Sequence, residues 1–147
     1  MVSQIIKDQI ALEKLQSFLQ KNALPFRDVK LEGSVYLYYL DDHKQLVASG
    51  GLELFGSYAL LRSVAVDQEQ RGKKFGQQIV HDLLTKAKSL GVTELYLLTE
   101  TAERFFENKG FTKISREQAP EAILNSSEFK TVCPVSAVCM VNKITLA

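Results

Sequence analysis

Net charge is almost absent from this 147-residue chain: 18 Lys and Arg against 17 Asp and Glu leave a formal +1. That balance removes the electrostatic case for nucleic acid or an anionic membrane as a partner. Cysteine is scarce. Cys133 and Cys139 have the spacing of neither a zinc knuckle nor a redox pair, so no metal site is expected and both read as reduced, structural thiols. Histidine is limited to His43, in a polar turn, and His81, off the apolar face of its helix, and neither is placed for catalysis. No apolar run is long enough for a signal peptide or a membrane span, which points to a cytoplasmic protein. Repeats and low-complexity tracts are missing too, so 1–147 reads as one domain, large enough to fold without staples.

The remaining sequence is ordinary globular material, 46% hydrophobic, and its periodicity can be followed in order. Leu12, Leu15, Phe18 and Leu19 recur at helical spacing over 8–21, and Pro25 ends that helix. Residues 35–40, 46–54 and 58–66 read as three strands joined by short turns, an antiparallel meander. Phe75, Ile79, Val80, Leu83, Leu84, Ala87 and Leu90 then mark a long helix stopped at Gly91. A strand at 94–98, a helix at 101–109 stopped by Gly110, a strand at 111–114, a short helix at 117–124 and a last strand at 136–144 follow. The order implies an α/β (α+β) domain with a mixed, largely antiparallel central sheet flanked by helices. A β-α-β crossover over 59–98 makes its two strands parallel neighbours. Exposed sheet edges leave both a monomer and a homodimer open.

Between the third strand and the long helix lies Gln68-Glu69-Gln70-Arg71-Gly72-Lys73-Lys74-Phe75-Gly76-Gln77. A helix N-terminus offers unpaired N–H groups and a dipole that favours an anion. Gly72 permits a tight turn, Gly76 leaves room for close approach, and Arg71, Lys73 and Lys74 add positive charge. The arrangement suits a phosphate or pyrophosphate; an ordinary basic, glycine-containing loop would look the same. It is neither a Walker loop nor a Gly-x-Gly-x-x-Gly fingerprint.

Arg71-Gly72-Lys73-Lys74-Phe75-Gly76 resembles motif A of the GNAT (GCN5-related N-acetyltransferase) superfamily, Arg/Gln-x-x-Gly-x-Gly/Ala. The resemblance implies that loop amides hold the pyrophosphate of coenzyme A. Lys74 stands where the motif has its middle glycine, and a lysine there requires helical backbone angles. Thr99, Ala102, Phe106, Gly110 and Phe111 fall in register with the superfamily's second cofactor segment, Asn-x-x-Ala-x-x-x-Tyr-x-x-x-Gly-Phe. Phe106 replaces a tyrosine that commonly protonates the departing thiolate, a step phenylalanine cannot perform. Phe105 beside it reads as core packing, within the same cofactor segment. Leu24-Pro25, Gly51-Leu52-Glu53, Leu61-Arg62-Ser63 and Glu128-Phe129 with Cys133-Pro134 and Ser136-Ala137 look like acetyltransferases found with arsenic-resistance operons. Those are similar to amino-acid and phosphinothricin-type N-acetyltransferases.

The resemblance thus implies a GNAT-like fold, acetyl-CoA as cofactor and a small amino-acid-like amine as acceptor. Its cofactor residues would be Val64, Ala65, Val66, Arg71, Gly72, Lys73, Lys74, Phe75, Gly76, Gln77, Thr99, Ala102, Phe105 and Phe106, with amides of Val64 and Val66 near the thioester. Glu53, on the opposite strand face from Leu52 and Leu54, is the candidate base, and Glu100 ranks behind it. Arg27, Arg62, Ser63 and Ser136 are the candidate acceptor contacts. An arginine inside an apolar strand needs a partner, and for Arg62 that partner is either an acceptor carboxylate or an internal Asp or Glu. Two alternatives stand beside direct amine acetylation: a non-catalytic acyl-CoA-binding or regulatory domain, and a protein or peptide N-acetyltransferase.

Overall fold

Three long β-rich stretches and two amphipathic helices govern the architecture. The computed structural model describes residues 2–72, 74–132 and 136–144. In chain order the elements are β1 (Val2–Ile5), α1 (Gln9–Lys21), β2 (Ser34–Leu40), β3 (Leu46–Phe55), β4 (Tyr58–Val66), α2 (Phe75–Ser89) and β5 (Glu94–Thr99). They continue with α3 (Glu103–Glu107), β6 (Thr112–Ile114), α4 (Glu121–Leu124) and β7 (Val138–Lys143), with a wide helical turn at Glu128–Val132 before the last strand. The sheet order is β1-β2-β3-β4-β5-β7-β6, antiparallel except for the parallel β4–β5 pair that the β-α-β crossover requires. This is the mixed, largely antiparallel sheet expected from the sequence.

Several boundaries differ from that expectation, the helix read over 101–109 shortening to Glu103–Glu107. Strand β1 was not anticipated, because Ser3 and Gln4 break the apolar pattern; pairing with β2, as in Ile5 opposite Leu37, makes it a strand. The helix expected over 117–124 is split at Pro120, whose ψ of 154° is extended; a single turn at Arg116–Gln118 precedes it and α4 follows. The last strand begins at Val138 rather than 136.

Each face of the sheet buries a different set of helices. On one face α2 packs Ile79, Val80, Leu83 and Ala87 against Leu37, Leu52, Leu61 and Leu97, joined by Phe106 and Phe111 from the α3 region. On the other, α1 covers Tyr36 and Ala65 with Leu15, Phe18 and Leu19, while Ala119, Ile123 and Phe129 cover Leu60, Tyr96 and Cys139. Asp8 caps α1 by accepting from the Ala11 N–H at 2.8 Å. Adjacent glycines on β3 let both layers approach. A Cβ on Gly50 would lie 2.6 Å from Ile79 of α2, and one on Gly51 would lie 2.4 Å from the ring of Tyr36, which is 1% exposed.

Candidate active site

The centre of the sheet is pulled open. Strands β4 and β5 pair only from Tyr58 opposite Glu94 to Leu60 opposite Tyr96; beyond them β4 runs on to Val66 with no β5 partner. A bulge accompanies the divergence. Between the pairs Ser49–Ala65 and Gly51–Arg62, β4 has two residues where β3 has one, and Ser63 takes a left-handed φ of 59°. The Ser49 hydroxyl donates to the Ser63 carbonyl at 2.8 Å and holds the bulge. Past it, the Asp67 N–H donates to Val47 O on β3 at 2.7 Å. Alternation therefore turns the N–H and C=O of Val66 the other way, into the opening. On that side Arg71 Nε donates to Val66 O at 3.2 Å. Ala65 is buried against the α1 side, so its side chain does not line the opening.

At the mouth of this cleft stands the start of α2. No side chain caps it, and its first turn holds no acid, so the helix presents its positive end bare. Gly72 turns with φ 85°. Lys74 has φ 64° and ψ 22°, which overturns the expectation of ordinary helical angles: the backbone here is left-handed, the conformation a glycine adopts without penalty. Lys73 lies outside the described residues, as does Cys133. A cavity of about 310 Å³ is lined by Val66, Gln70, Arg71, Gly72, Lys74, Phe75, Gly76, Gln77 and Phe105. A second, of about 480 Å³, continues past Lys74 and Gln77 to His81 and Lys109. Bare amides, basic side chains and open volume fit a phosphorylated cofactor whose pyrophosphate meets the α2 N-terminus.

The two adjacent phenylalanines exchange roles relative to the sequence reading. Phe106 is 6% exposed and makes edge-to-face contacts with Phe105 and Phe111, so it is the core residue. Phe105 is half-buried, lines the smaller cavity, and sits 3.4 Å from where a Cβ on Gly76 would stand. Lys109 Nζ lies 5.7 Å from the Phe105 ring centre. Thr99 accepts from the Ala102 N–H at 3.0 Å, tying the end of β5 to the start of α3. Glu100 is exposed beside it.

On the opposite face, at the foot of the divergence, the sequence placed Glu53 and Arg62, and the structure adds two groups it did not single out. Arg62 is 3% exposed. Its Nη1 and Nη2 donate to Asp28 Oδ2 and Oδ1 at 2.7 and 2.8 Å, a bidentate fork. Nη1 also lies 3.6 Å from Glu53 Oε1, while Nε lies 3.3 Å from Ser63 Oγ and 3.8 Å from Glu128 Oε2. Of the two partners open for Arg62, the internal carboxylate fills the place. Burial alone would raise the Asp28 pKa, but the hydrogen bonds and charge of Arg62 outweigh it and hold the carboxyl below its usual value. Burial likewise disfavours the charged guanidinium, and the Asp28 fork more than restores it. Tyr36, packed beneath the group, is pushed up to about 12, mainly by burial.

Asp28 lies next to Arg27 in a loop whose sequence signalled only a helix break. Glu128 belongs to a stretch that offered only a family resemblance and no chemical cue. Arg27 is exposed, with its guanidinium 5.1 Å from the Phe26 ring centre, and Ser136 is exposed near the start of β7. His43 and His81 are both exposed. No cluster of metal-ligating residues occurs among the described residues, and no helix there is long and apolar enough to cross a membrane.

Comparison with known proteins returns the same architecture. The structure of Tetrahymena GCN5 superposes with a TM-score of 0.77 at 12% identity, covering 100% of this chain and 98% of that one. N-acetylglutamate synthase from Neisseria gonorrhoeae, solved with coenzyme A and N-acetyl-glutamate, gives 0.73 at 15% identity over 99% of this chain and 36% of that one. By sequence, the citrate (pro-3S)-lyase ligase of Haemophilus influenzae is 30% identical over 124 residues, 84% of this chain, which spans only 35% of that protein. The family model for the acetyltransferase (GNAT) domain matches residues 32–113, more than half of the chain, from β2 into β6 around the opened strands. With that match and the β4–β5 opening before an uncapped α2, the chain belongs to the GNAT acetyltransferase domain family.

Proposed function

We propose that this chain transfers acetyl from acetyl-CoA directly to the primary amine of a small, amino-acid-like acceptor. The observation that carries the reading is the divergence of β4 from β5 between the bare α2 N-terminus on one side and Glu53 on the other. The amides and basic side chains of 71–77 would bind the pyrophosphate, and the amides of Val66 and Val64 would face the thioester carbonyl, where an N–H can stabilise developing negative charge. When bound, the cofactor supplies an activated acetyl thioester. Glu53 would accept the proton that the amine must lose, directly or through a water.

Because Asp28 engages the fork of Arg62, Arg27 is the arginine left to meet an acceptor carboxylate, with Ser63 and Ser136 as further polar contacts. Ala119, Ile123 and Phe129 of the stretch after β6 pack with Leu60 and Tyr96 on this same face, which supports a small acceptor over a protein or peptide. The finer likeness to the arsenic-resistance-operon acetyltransferases supports an amino-acid analogue.

Free-thiol release from acetyl-CoA in the presence of an amino-acid and phosphinothricin panel tests the reading. Glu53→Gln should lower turnover about 100-fold or more while leaving coenzyme A affinity unchanged. Equal turnover in both proteins would remove Glu53 as the base. A second reading, a coenzyme A-binding domain without turnover of its own, is favoured by the burial of Phe106 and by the likeness to one third of a ligase. Coenzyme A binding with no thiol release on any amine would select it.

A further inference from the structure

The distances around Arg62 are unequal in a way that matters for Glu53. Its bonds to Asp28 are short, at 2.7 and 2.8 Å, the length of charge-assisted hydrogen bonds. Its approach to Glu53 stops at 3.6 Å, too long for one. Glu53 Oε1 is nevertheless buried and accepts no hydrogen bond. A carboxylate oxygen so placed, with a guanidinium nearby, would ordinarily draw it in, because an unsatisfied buried acceptor carries a desolvation penalty. The Asp28 fork fixes the plane and position of the guanidinium against that pull.

We propose that Asp28 is a positioning residue: by gripping Arg62 bidentately from the α1–β2 loop, it holds the guanidinium off the buried Oε1 of Glu53 and leaves that carboxylate able to take the acceptor's proton. The proposal rests on the reading of Glu53 as the base. The charged and titratable groups around the pair are Asp28, with Lys30 beside it on the loop, Tyr36 from β2, Arg62 from β4 and Glu128 from the turn before β7. Of these only Asp28 engages both terminal nitrogens of Arg62. Neutralising Asp28 releases one donor in Asp28→Asn, or both in Asp28→Ser, and removes a negative charge near Glu53. Both changes draw Arg62 onto Glu53 and make that carboxylate a poorer proton acceptor.

The test compares Asp28→Asn, Asp28→Ser, Asp28→Glu and Glu53→Gln in the full chain, by crystal structure and by thiol release from acetyl-CoA with the amino-acid panel. In the neutral variants the Arg62–Glu53 contact should close to about 2.8 Å. The acid limb of kcat/KM should move to lower pH, and kcat should fall about tenfold or more with coenzyme A affinity unchanged. Asp28→Glu should restore both limb and rate. A contact still at 3.6 Å and an unmoved acid limb in a folded neutral variant would overturn the proposal. Failure of both neutral variants to fold while Asp28→Glu folds would overturn it in favour of a purely structural role. Glu53→Gln separates the two levels. If it keeps the acid limb, the base reading fails; if it loses the limb while Asp28→Asn leaves the contact open, only the role of Asp28 fails.

Discussion

Lys74 offers the cleanest measurement of the cofactor loop, because its backbone and its charge can be changed separately. At φ 64° and ψ 22°, its Cβ sits close to the following carbonyl. A left-handed non-glycine residue costs about 1–2 kcal/mol. Glycine removes that cost but gives back about 0.5–1 kcal/mol through its greater freedom in the unfolded chain. Lys74→Gly should therefore be more stable than Lys74→Ala by about 0.5–1 kcal/mol, since alanine loses the same exposed charge and keeps the Cβ. For a chain of this size, that difference corresponds to about 2–3 °C in Tm. Thermal melts of the two variants, with urea titrations to check that the m-value is constant, measure it. Loss of coenzyme A affinity common to both variants reports the lysine charge. Equal melting temperatures, or a less stable glycine variant, would refute the left-handed assignment and return Lys74 to ordinary helical geometry.

Other expectations follow from single contacts. Gly51→Ala, which puts a Cβ 2.4 Å from a fully buried Tyr36 ring, should cost about 1–3 kcal/mol in urea unfolding, whereas Gly76→Ala, 3.4 Å from Phe105, should stay within about 0.5 kcal/mol. Phe106→Tyr restores the hydroxyl usual in the superfamily but places it in the core; it should lose about 1–3 kcal/mol of stability and gain no turnover, and a faster enzyme would show that the ring reaches the cleft. Because the Asp28 pKa is depressed in the folded state, its contribution is fully present above the ordinary value of 3.8 and is lost as pH falls below it. The urea midpoint should drop over that acid range, with a shallower drop in Asp28→Asn.

The elements that were legible in the sequence are those whose signal is local and repeated. Helix α2 announces itself through Ile79, Val80, Leu83 and Ala87, all fully buried, and ends at Gly91, whose φ of 81° only glycine adopts easily. The meander was legible from its aromatic and branched strands. Strand β1 was not, since its four residues owe their conformation to β2 rather than to their own pattern. The phenylalanine pair shows the resolution limit of periodicity. In a five-residue helix, neighbours point about 100° apart, so a shift of one residue in its start decides which ring enters the core. The left-handed angle at Lys74 was illegible because a lysine carries no signal for it.

Arg62 marks where pattern stops and tertiary structure decides. A single arginine in an apolar strand requires an anion, and sequence alone offers two kinds, one brought by the acceptor and one folded in. The structure supplies Asp28 from a loop 34 positions earlier and brings Glu128 from the far side of the chain. That outcome reverses the sense of the residue. An arginine free to clamp an acceptor carboxylate would be a recognition group; one locked by Asp28 at 2.7 Å instead sets the electrostatic surroundings of Glu53 at 3.6 Å. Removing Arg62 would leave Asp28, Glu53 and Glu128 without the cation they share, at a cost of about 3–5 kcal/mol, whereas neutralising Asp28 leaves Arg62 two further carboxylates. Only measurements that separate the acid limb from folding, as the Asp28 series does, distinguish an arginine that holds the sheet together from one that tunes the base.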